Sequence, residues 1–451
     1  MVKLLLKGFL NHKTKNIIMR NFKIIIVLIA FSLGFKLGAQ NTQLNSYSFG
    51  EGYNFNNENG SSVKLQGYIQ PSVEIRSYSN GTTDSEVRYR MRRVRLRLSG
   101  NSANERFSYR FQVDLAGANE VDTEDNNYLL DAFISYAITN RIKVSFGQRA
   151  TFTDNRELFM NSNSLQLVER SRLTSAFASI REFGLFLEGR FRTGNSSQIK
   201  PYFVLTTGDG ANIFTSDKGG LKIGGRIDYL PFGLFNNFGQ FRQADMVRER
   251  TPKLVIGTFY SHNNGMSSRR GRESGSIMYL DENDNEALPD YSKYGIDFLF
   301  KYKGFSALGE YIKSTASVPQ DITQRVRNNG STTTEFLVDE VQDVENYVRG
   351  KMMLGEAYNY QMGYLFKNGI SVDARYTHLI ADTYSFLNNA TFYNRPNYYT
   401  IGVSKYLSRN YGAKIQASYT HADGDLGIND IQRNAISGNE NFLRIMLTLS
   451  F

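Results

Sequence analysis

The last ten residues, Phe442 to Phe451, alternate between two kinds of side chain. Leu443, Ile445, Leu447, Leu449 and Phe451 share one face, and Arg444, Met446, Thr448 and Ser450 share the other. Period-two alternation of this kind describes a strand with one face in an apolar medium and the other in a polar one. In hydrocarbon every backbone amide must be paired, so strands persist there only in a closed barrel. The competing expectation from this segment alone is an ordinary half-buried strand.

Sixteen such segments follow Val63. They lie near 63–77, 88–99, 105–116, 128–138, 141–149, 182–192, 199–208, 220–230, 252–262, 292–303, 304–314, 353–367, 370–380, 397–407, 410–421 and 441–451. Most have the ten or so residues that cross a bilayer at a tilt. Phe107, Tyr109, Phe111, Val113 and Leu115 oppose Arg106, Ser108, Arg110, Gln112 and Asp114, and Ile370, Val372, Ala374 and Tyr376 oppose Ser371, Asp373, Arg375 and Thr377. The segments at 199–208, 252–262 and 304–314 alternate poorly, which leaves the count open by two.

Connection lengths test the same idea independently. An even-stranded barrel has short turns on the periplasmic side and longer loops outside. Tight links follow segments 2, 4, 10, 12 and 14, whereas long polar stretches, including 263–291 and 315–352, follow odd-numbered segments. The stretch 231–251 after segment 8 breaks the rule. A β-sandwich has no reason to show this asymmetry, so the expected fold is all-β, a transmembrane antiparallel β-barrel of about sixteen strands.

The start of the chain reads as targeting. Ile24–Phe35 is an apolar run too short to span, set behind Arg20 and Lys23 and followed by Leu37-Gly38-Ala39. Residues 1–39 are expected to be a secretory signal cleaved near Ala39–Gln40, with Met19 a plausible true start. Residues 40–62 form an Asn/Gly/Ser-rich periplasmic lead-in, and 63–451 the barrel. The leader holds seven Lys/Arg and no acids, so the formal charge of +10 falls to 46 basic against 43 acidic side chains. That near balance removes the argument for nucleic acid. A mean hydropathy of −0.41 does not argue against a barrel, because only alternate residues meet lipid. With no cysteine there is no disulfide framework, and with no Trp the interfacial girdles fall to Tyr and Phe.

The charge pattern carries the functional expectation. Arg93, Arg95 and Arg97 interleave with Val94, Leu96 and Leu98, while Arg88, Arg90 and Arg92 have the opposite phase. Facing three arginines to lipid would cost roughly 2–4 kcal/mol each near the midplane, so they are expected in the lumen. The phase change requires a bulge at Arg92–Arg93, or a crossing segment that begins only there. The candidate anion-facing set is Arg92, Arg93, Arg95 and Arg97, joined by Arg106 and Arg110. One such charge about 6 Å away in water is worth about 0.7 kcal/mol, and three would enrich anions about thirty-fold before screening. The competing expectation is that they pair with Asp114, Asp131, Glu182 or Glu188 and stiffen the wall. The insertion 150–181 is expected to fold inward as a constriction loop, presenting Arg156, Arg170 and Arg172; the alternative is a loop lying over the mouth.

Other chemistry is thin. The mature histidines, His262, His378 and His421, have no serine or acid spacing that makes a triad, so no enzyme and no cofactor are expected. The acidic stretches 281–290 and 423–430 could hold calcium, but solvated loops are the plainer reading.

The run RRVRLRLSG (92–100), with FSYRFQVDLAG (107–117), LLDAFISY (129–136), VSFGQ (144–148) and REFGLFLEGRF (181–191), resembles the phosphate-selective porin O and P family, in the form found in Bacteroidetes-type bacteria. The resemblance is good over 63–230 and diffuse beyond. It implies a sixteen-stranded trimeric porin of a Gram-negative outer membrane, with an inward constriction loop and a basic lumen that passes small anionic solutes. Phosphate itself is not implied by the arginine-rich strand. The alternative function is a structural or adhesive outer-membrane barrel.

Overall fold

A computed structural model describes residues 43–79, 84–117, 128–211, 218–327, 329–388, 395–423, 428–429, 435–436 and 438–451. Sixteen antiparallel strands form one closed sheet. They are β1 (Ser62–Tyr78), β2 (Glu86–Asn101), β3 (Phe107–Asp114), β4 (Leu129–Ala137), β5 (Ile142–Ala150), β6 (Arg181–Gly189), β7 (Gln198–Thr206) and β8 (Lys222–Leu230). The second half comprises β9 (Lys253–Asn263), β10 (Asp290–Tyr302), β11 (Phe305–Ser317), β12 (Gly355–Leu365), β13 (Ile370–Ala381), β14 (Asn397–Tyr406), β15 (Ala413–Asp423) and β16 (Glu440–Ser450). Each strand pairs with its neighbours in sequence, and β16 pairs with β1 to close the ring. All sixteen expected segments are present in order.

Closure is sealed at the last residue. Phe451 N–H donates to Gly67 O at 2.9 Å, and Gly67 N–H donates to Phe451 O at 3.0 Å. A Cβ on Gly67 would lie 2.4 Å from the Phe451 ring, so only glycine admits the ring there. The lead-in is more ordered than its composition suggests. Gln43–Ser48 and Gly52–Asn56 form a hairpin that extends the sheet along the start of β1.

The outward faces make the apolar belt. Ile134, Phe146 and Ile401 are 63%, 59% and 64% exposed, and Leu443, Ile445, Leu447 and Leu449 project outward as their parity requires. Their neighbours Met446, Thr448 and Ser450 are buried inside. The two phases of arginine on β2 are reconciled by a register shift: Gln70 pairs with Arg93, but Pro71 pairs with Met91, leaving Arg92 as the extra residue. The bulge turns both runs inward, since Val87, Tyr89 and Met91 are exposed on the outer side.

Much of the lumen is filled. Loop 3, residues 151–180, enters the barrel and is almost wholly buried. It contains two short helices, α1 (Arg156–Phe159) and α2 (Arg172–Phe177), with Ser171 capping α2 by accepting from Thr174 N–H at 3.2 Å. Helices of four and six residues cannot hold themselves in water, so docking on the wall stabilises them. Leu173, Ala176 and Phe177 pack on Phe259, Ile312, Ala357 and Leu379 of the inner wall, while Met160 and Leu165 pack on Val255, Leu299 and Leu308.

The exceptional turn 231–252 also tucks inward, from the periplasmic end. Lys301 Nζ donates to Gly239 O at 2.8 Å and Ala244 O at 3.0 Å, and Tyr411 Oη donates to Ala244 O at 2.8 Å. Gln243 touches loop 3 directly, accepting from Gln166 N–H at 2.8 Å and donating to Glu157 Oε1 at 3.1 Å. Outside, the long loops after β9 and β11 build a small cap with Met266, Ile277, Tyr279, Leu288, Ile322, Phe336 and Val348 in its interior.

Candidate functional site: the lumen beside loop 3

Two walls meet loop 3 in different ways. On the side of β8 to β15 the contact is buried and densely paired. Arg156 of α1 enters a socket formed by Asp228 and Asp297, donating at 2.7 and 2.8 Å, and Arg226 bridges the same two carboxylates at 2.7 and 2.6 Å. A Cβ on Gly257 would fall 2.6 Å from Arg156 Nη2, so the socket requires glycine at its base. Lys293 pairs with Asp154, Arg375 approaches Glu157 at 3.5 Å, and Gln166 donates to Asp373 and Ser306 at 2.8 Å each. Glu310 accepts from Glu157 N–H at 2.7 Å and from Asn155 and Asn359 amides at 2.9 and 2.8 Å. Lys414 and Gln416 donate to Leu165 O. Desolvated charges of this kind survive only when paired, and removing one partner costs about 3–5 kcal/mol.

The arginine ladder on β2 divides at Arg95. Arg92 and Arg93 are buried and hold Glu169 of loop 3, at 2.6 Å from Arg92 Nε and 2.9 Å from Arg93 Nη2. Arg95 pairs with Asp114 at 2.8 Å and donates to Ser162 Oγ at 2.9 Å. These three rungs point inward as their spacing requires, but loop 3 covers them, and they act as its mooring. Arg97 is half-buried, donating to Gln112 at 2.6 Å and Asn161 at 3.1 Å. Arg110 is half-buried as well, 5.6 Å from the Phe133 ring. Arg106 lies at the periplasmic turn, 3.4 Å from Tyr136 Oη.

The loop arginines also hold structure. Arg156 fills its socket. Arg170 donates to the backbone carbonyls of Glu157 and Met160, closing the loop on itself. Arg172 lies 6.0 Å from the Tyr398 ring. Loop 3 therefore narrows the lumen by its bulk, with Arg156 and Arg170 turned into protein.

Opposite the packed side, the wall of β3 to β7 keeps partly exposed polar groups. Arg149 lies 4.6 Å from the Phe133 ring and 4.7 Å from the Phe152 ring, and 3.3 Å from Glu188. Glu188 also pairs with Lys143 at 3.0 Å, and Lys200 lies 5.6 Å from the Tyr202 ring. Below them, Arg106, Arg141, Lys143, Arg190 and Lys200 with Glu188 border a cleft of about 640 Å³ at the periplasmic end. Arg149, Lys143 and Lys200 were absent from the sequence-derived set. The alternation that exposed Arg97 and Arg110 marks Lys143 and Arg149 equally, had it been applied to isolated cations as well as to a run.

The histidines share one setting that their spacing along the chain conceals. Each stands in a Tyr-Ser/Thr-His triplet, at 260–262, 376–378 and 419–421. His378 and His421 each contact an Asn Oδ1 on the next strand at 2.8 Å, Asn397 and Asn441, which Tyr376 and Tyr419 also contact. His262 meets Ser292 Oγ at 3.0 Å and Asp290 at 3.8 Å. Each histidine thus faces its register partner on the next strand, Ser292, Asn397 or Asn441, near the end of its own strand. The acidic segment 281–290 folds on itself, Asp281 accepting from the Asn283 and Asn285 amides at 2.8 Å. Most of 423–430 lies outside the described residues.

Residues 63–191, the first six strands, match the family model for phosphate-selective porin O and P. No curated protein matches. Among solved structures, the chain is similar to an outer-membrane OmpT of Vibrio cholerae (11% identity, 87% of this chain and 98% of that one, TM-score 0.48). It is also similar to the outer-membrane channel DcaP of Acinetobacter baumannii (14% identity, 88% and 99%, TM-score 0.48). A third is OprB of Pseudomonas putida (9% identity, 87% and 95%, TM-score 0.49). The closed sixteen-stranded sheet with its apolar outer belt is the architecture of an outer-membrane β-barrel, and its first six strands are similar to that porin family.

Proposed function

We propose that this porin passes small solutes with a preference for anions, along the wall of β3 to β7 beside loop 3. The observation that carries the reading is an excess of cations there: Arg97 of the adjoining β2, with Arg110, Lys143, Arg149 and Lys200, remains partly exposed, against Glu188. Fixed cations in a water-filled passage draw anions without trapping them, as conduction requires. The covered rungs Arg92, Arg93 and Arg95 serve this passage indirectly, by holding loop 3 in place. Phosphate is one admissible solute among several. The same proposal includes an exported chain whose leader ends near Ala39, and a homotrimer, as the family resemblance implies.

The test is the zero-current potential of the purified protein in a planar bilayer under a salt gradient, with phosphate competition. A potential of anion-selective sign supports the reading, and a cation-selective or zero potential refutes it. A structural or adhesive barrel is the second reading, favoured by how completely loop 3 and the 231–252 turn fill the lumen. It predicts no measurable conductance.

A further inference from the structure

Beneath loop 3, at the periplasmic end, lies a chamber of about 340 Å³. Asn161 and Ser164 of loop 3 form its roof, β1 and β2 contribute its wall, and Phe238 and Arg242 come from the inward-tucked turn. Its volume matches the lower end of small-molecule sites. Any solute passing the loop on the Arg97 side meets it.

The chamber is lined by the cations Lys64, Arg95, Arg97 and Arg242 against the carboxylate side chain of Glu51. Among the described residues the salt bridges of β2 stop at Arg95, and none includes Lys64, Arg97 or Arg242. Arg97 is held by neutral groups, Gln112 and Asn161, and makes no direct salt bridge among the described residues. Arg242 lies over the Tyr411 ring at 5.2 Å, which fixes the plane of the guanidinium. Inside a lumen whose other buried charges are mostly matched, this is a place prepared for a carboxylate or similar anion.

A second observation specifies the body of the ligand. Asn237 and Phe238 both adopt left-handed backbone conformations, with φ of 50° and 54°. That region disfavours a bulky residue, and such conformations persist where the surroundings hold them, often at ligand clamps. Here the conformation displays the Phe238 ring, 73% exposed, at the edge of the chamber. An exposed aromatic face beside guanidinium groups suits a flat ring that carries a negative charge.

The geometry points to a binding subsite for ring-bearing organic carboxylates, with the carboxylate at Arg97 and Arg242 and the ring against Phe238. This inference rests on the anion-preferring reading above and adds the class of solute. Inorganic phosphate would use the cations alone. The subsite retains a solute briefly at the periplasmic exit of the constriction.

The experiment measures block of single-channel KCl current by benzoate, acetate and benzyl alcohol, added to both sides of the bilayer. Benzoate is expected to block at concentrations at least ten-fold lower than acetate, and benzyl alcohol not at all. Phe238→Asn, a residue that tolerates the left-handed region, should bring benzoate to the level of acetate. Arg242→Gln should weaken block by both anions several-fold. Equal block by benzoate and acetate in the wild type, or a benzoate effect unaltered by both substitutions, overturns the subsite. The zero-current potential, read before any blocker is added, reports separately on the anion preference itself.

Discussion

The two sides of the lumen use the same residue types to opposite ends. Between β8 and β15, Arg156, Arg226 and Lys293 are locked against Asp228, Asp297 and Asp154, so their charges are spent on holding loop 3. Between β3 and β7, Arg110, Lys143, Arg149 and Lys200 remain partly in water and outnumber Glu188. Formal charge alone does not separate the two. The decisive difference is whether loop 3 docks on the wall: there Lys293 receives Asp154 from the loop, and the loop's Arg156 enters the carboxylates of the wall. A basic strand is therefore a wall or a mooring according to what covers it, and β2 is both, with the change at Arg95.

The largest effect is expected from breaking the packed side. Asp228→Asn together with Asp297→Asn leaves Arg156 and Arg226 buried without their partners, a loss on the order of 3–5 kcal/mol. Loop 3 should leave the wall, and single-channel conductance should rise several-fold while unheated and boiled samples still migrate differently in gels. Gly257→Val should reproduce the rise by filling the base of the socket. Unchanged conductance in both variants would mean that the socket does not position the loop.

Next in size is the contrast between two triple variants. Arg97, Arg110 and Arg149 all to Gln should shift the zero-current potential toward the cation side, reducing anion preference about ten- to thirty-fold at low salt. Arg92, Arg93 and Arg95 all to Gln should chiefly lower folding yield and thermal stability. Selectivity lost in the second set and kept in the first would exchange the roles of the two parts of the ladder.

A smaller effect concerns closure. Gly67→Ala should slow heat-modifiable barrel assembly, since its methyl would meet the Phe451 ring, and removal of Phe451 should do so more strongly. Normal assembly kinetics in both would deny the seam its role. Least of all, raising ionic strength should shrink the anion preference gradually, because screening acts over about 8 Å at physiological strength.

Most of the barrel was legible because lipid imposes a period of two on every strand, and the bulge at Arg92 followed from the phase change in β2. The three poorly alternating segments fail for a physical reason. Tyr202 and Val204, Val255 and Phe259, and Leu308 and Ile312 face inward yet are apolar, because each packs against loop 3 or its neighbours. Lost alternation was thus the footprint of the inserted loop. The fate of individual arginines was not legible. Glu169 lies 77 positions from Arg92, and Asp297 lies 141 from Arg156. Such pairings depend on how the loop docks, which no local period encodes. The same holds for the 231–252 turn, whose length was evident and whose insertion was not.

The central claim is that water and ions run along β3 to β7. The chain has no cysteine, so one introduced at Arg110 is the only thiol present. Attachment of a bulky methanethiosulfonate reagent there, followed in a single channel, tests the claim directly. The account predicts rapid labelling and a stepwise fall in current. Complete labelling with the current unchanged would contradict it.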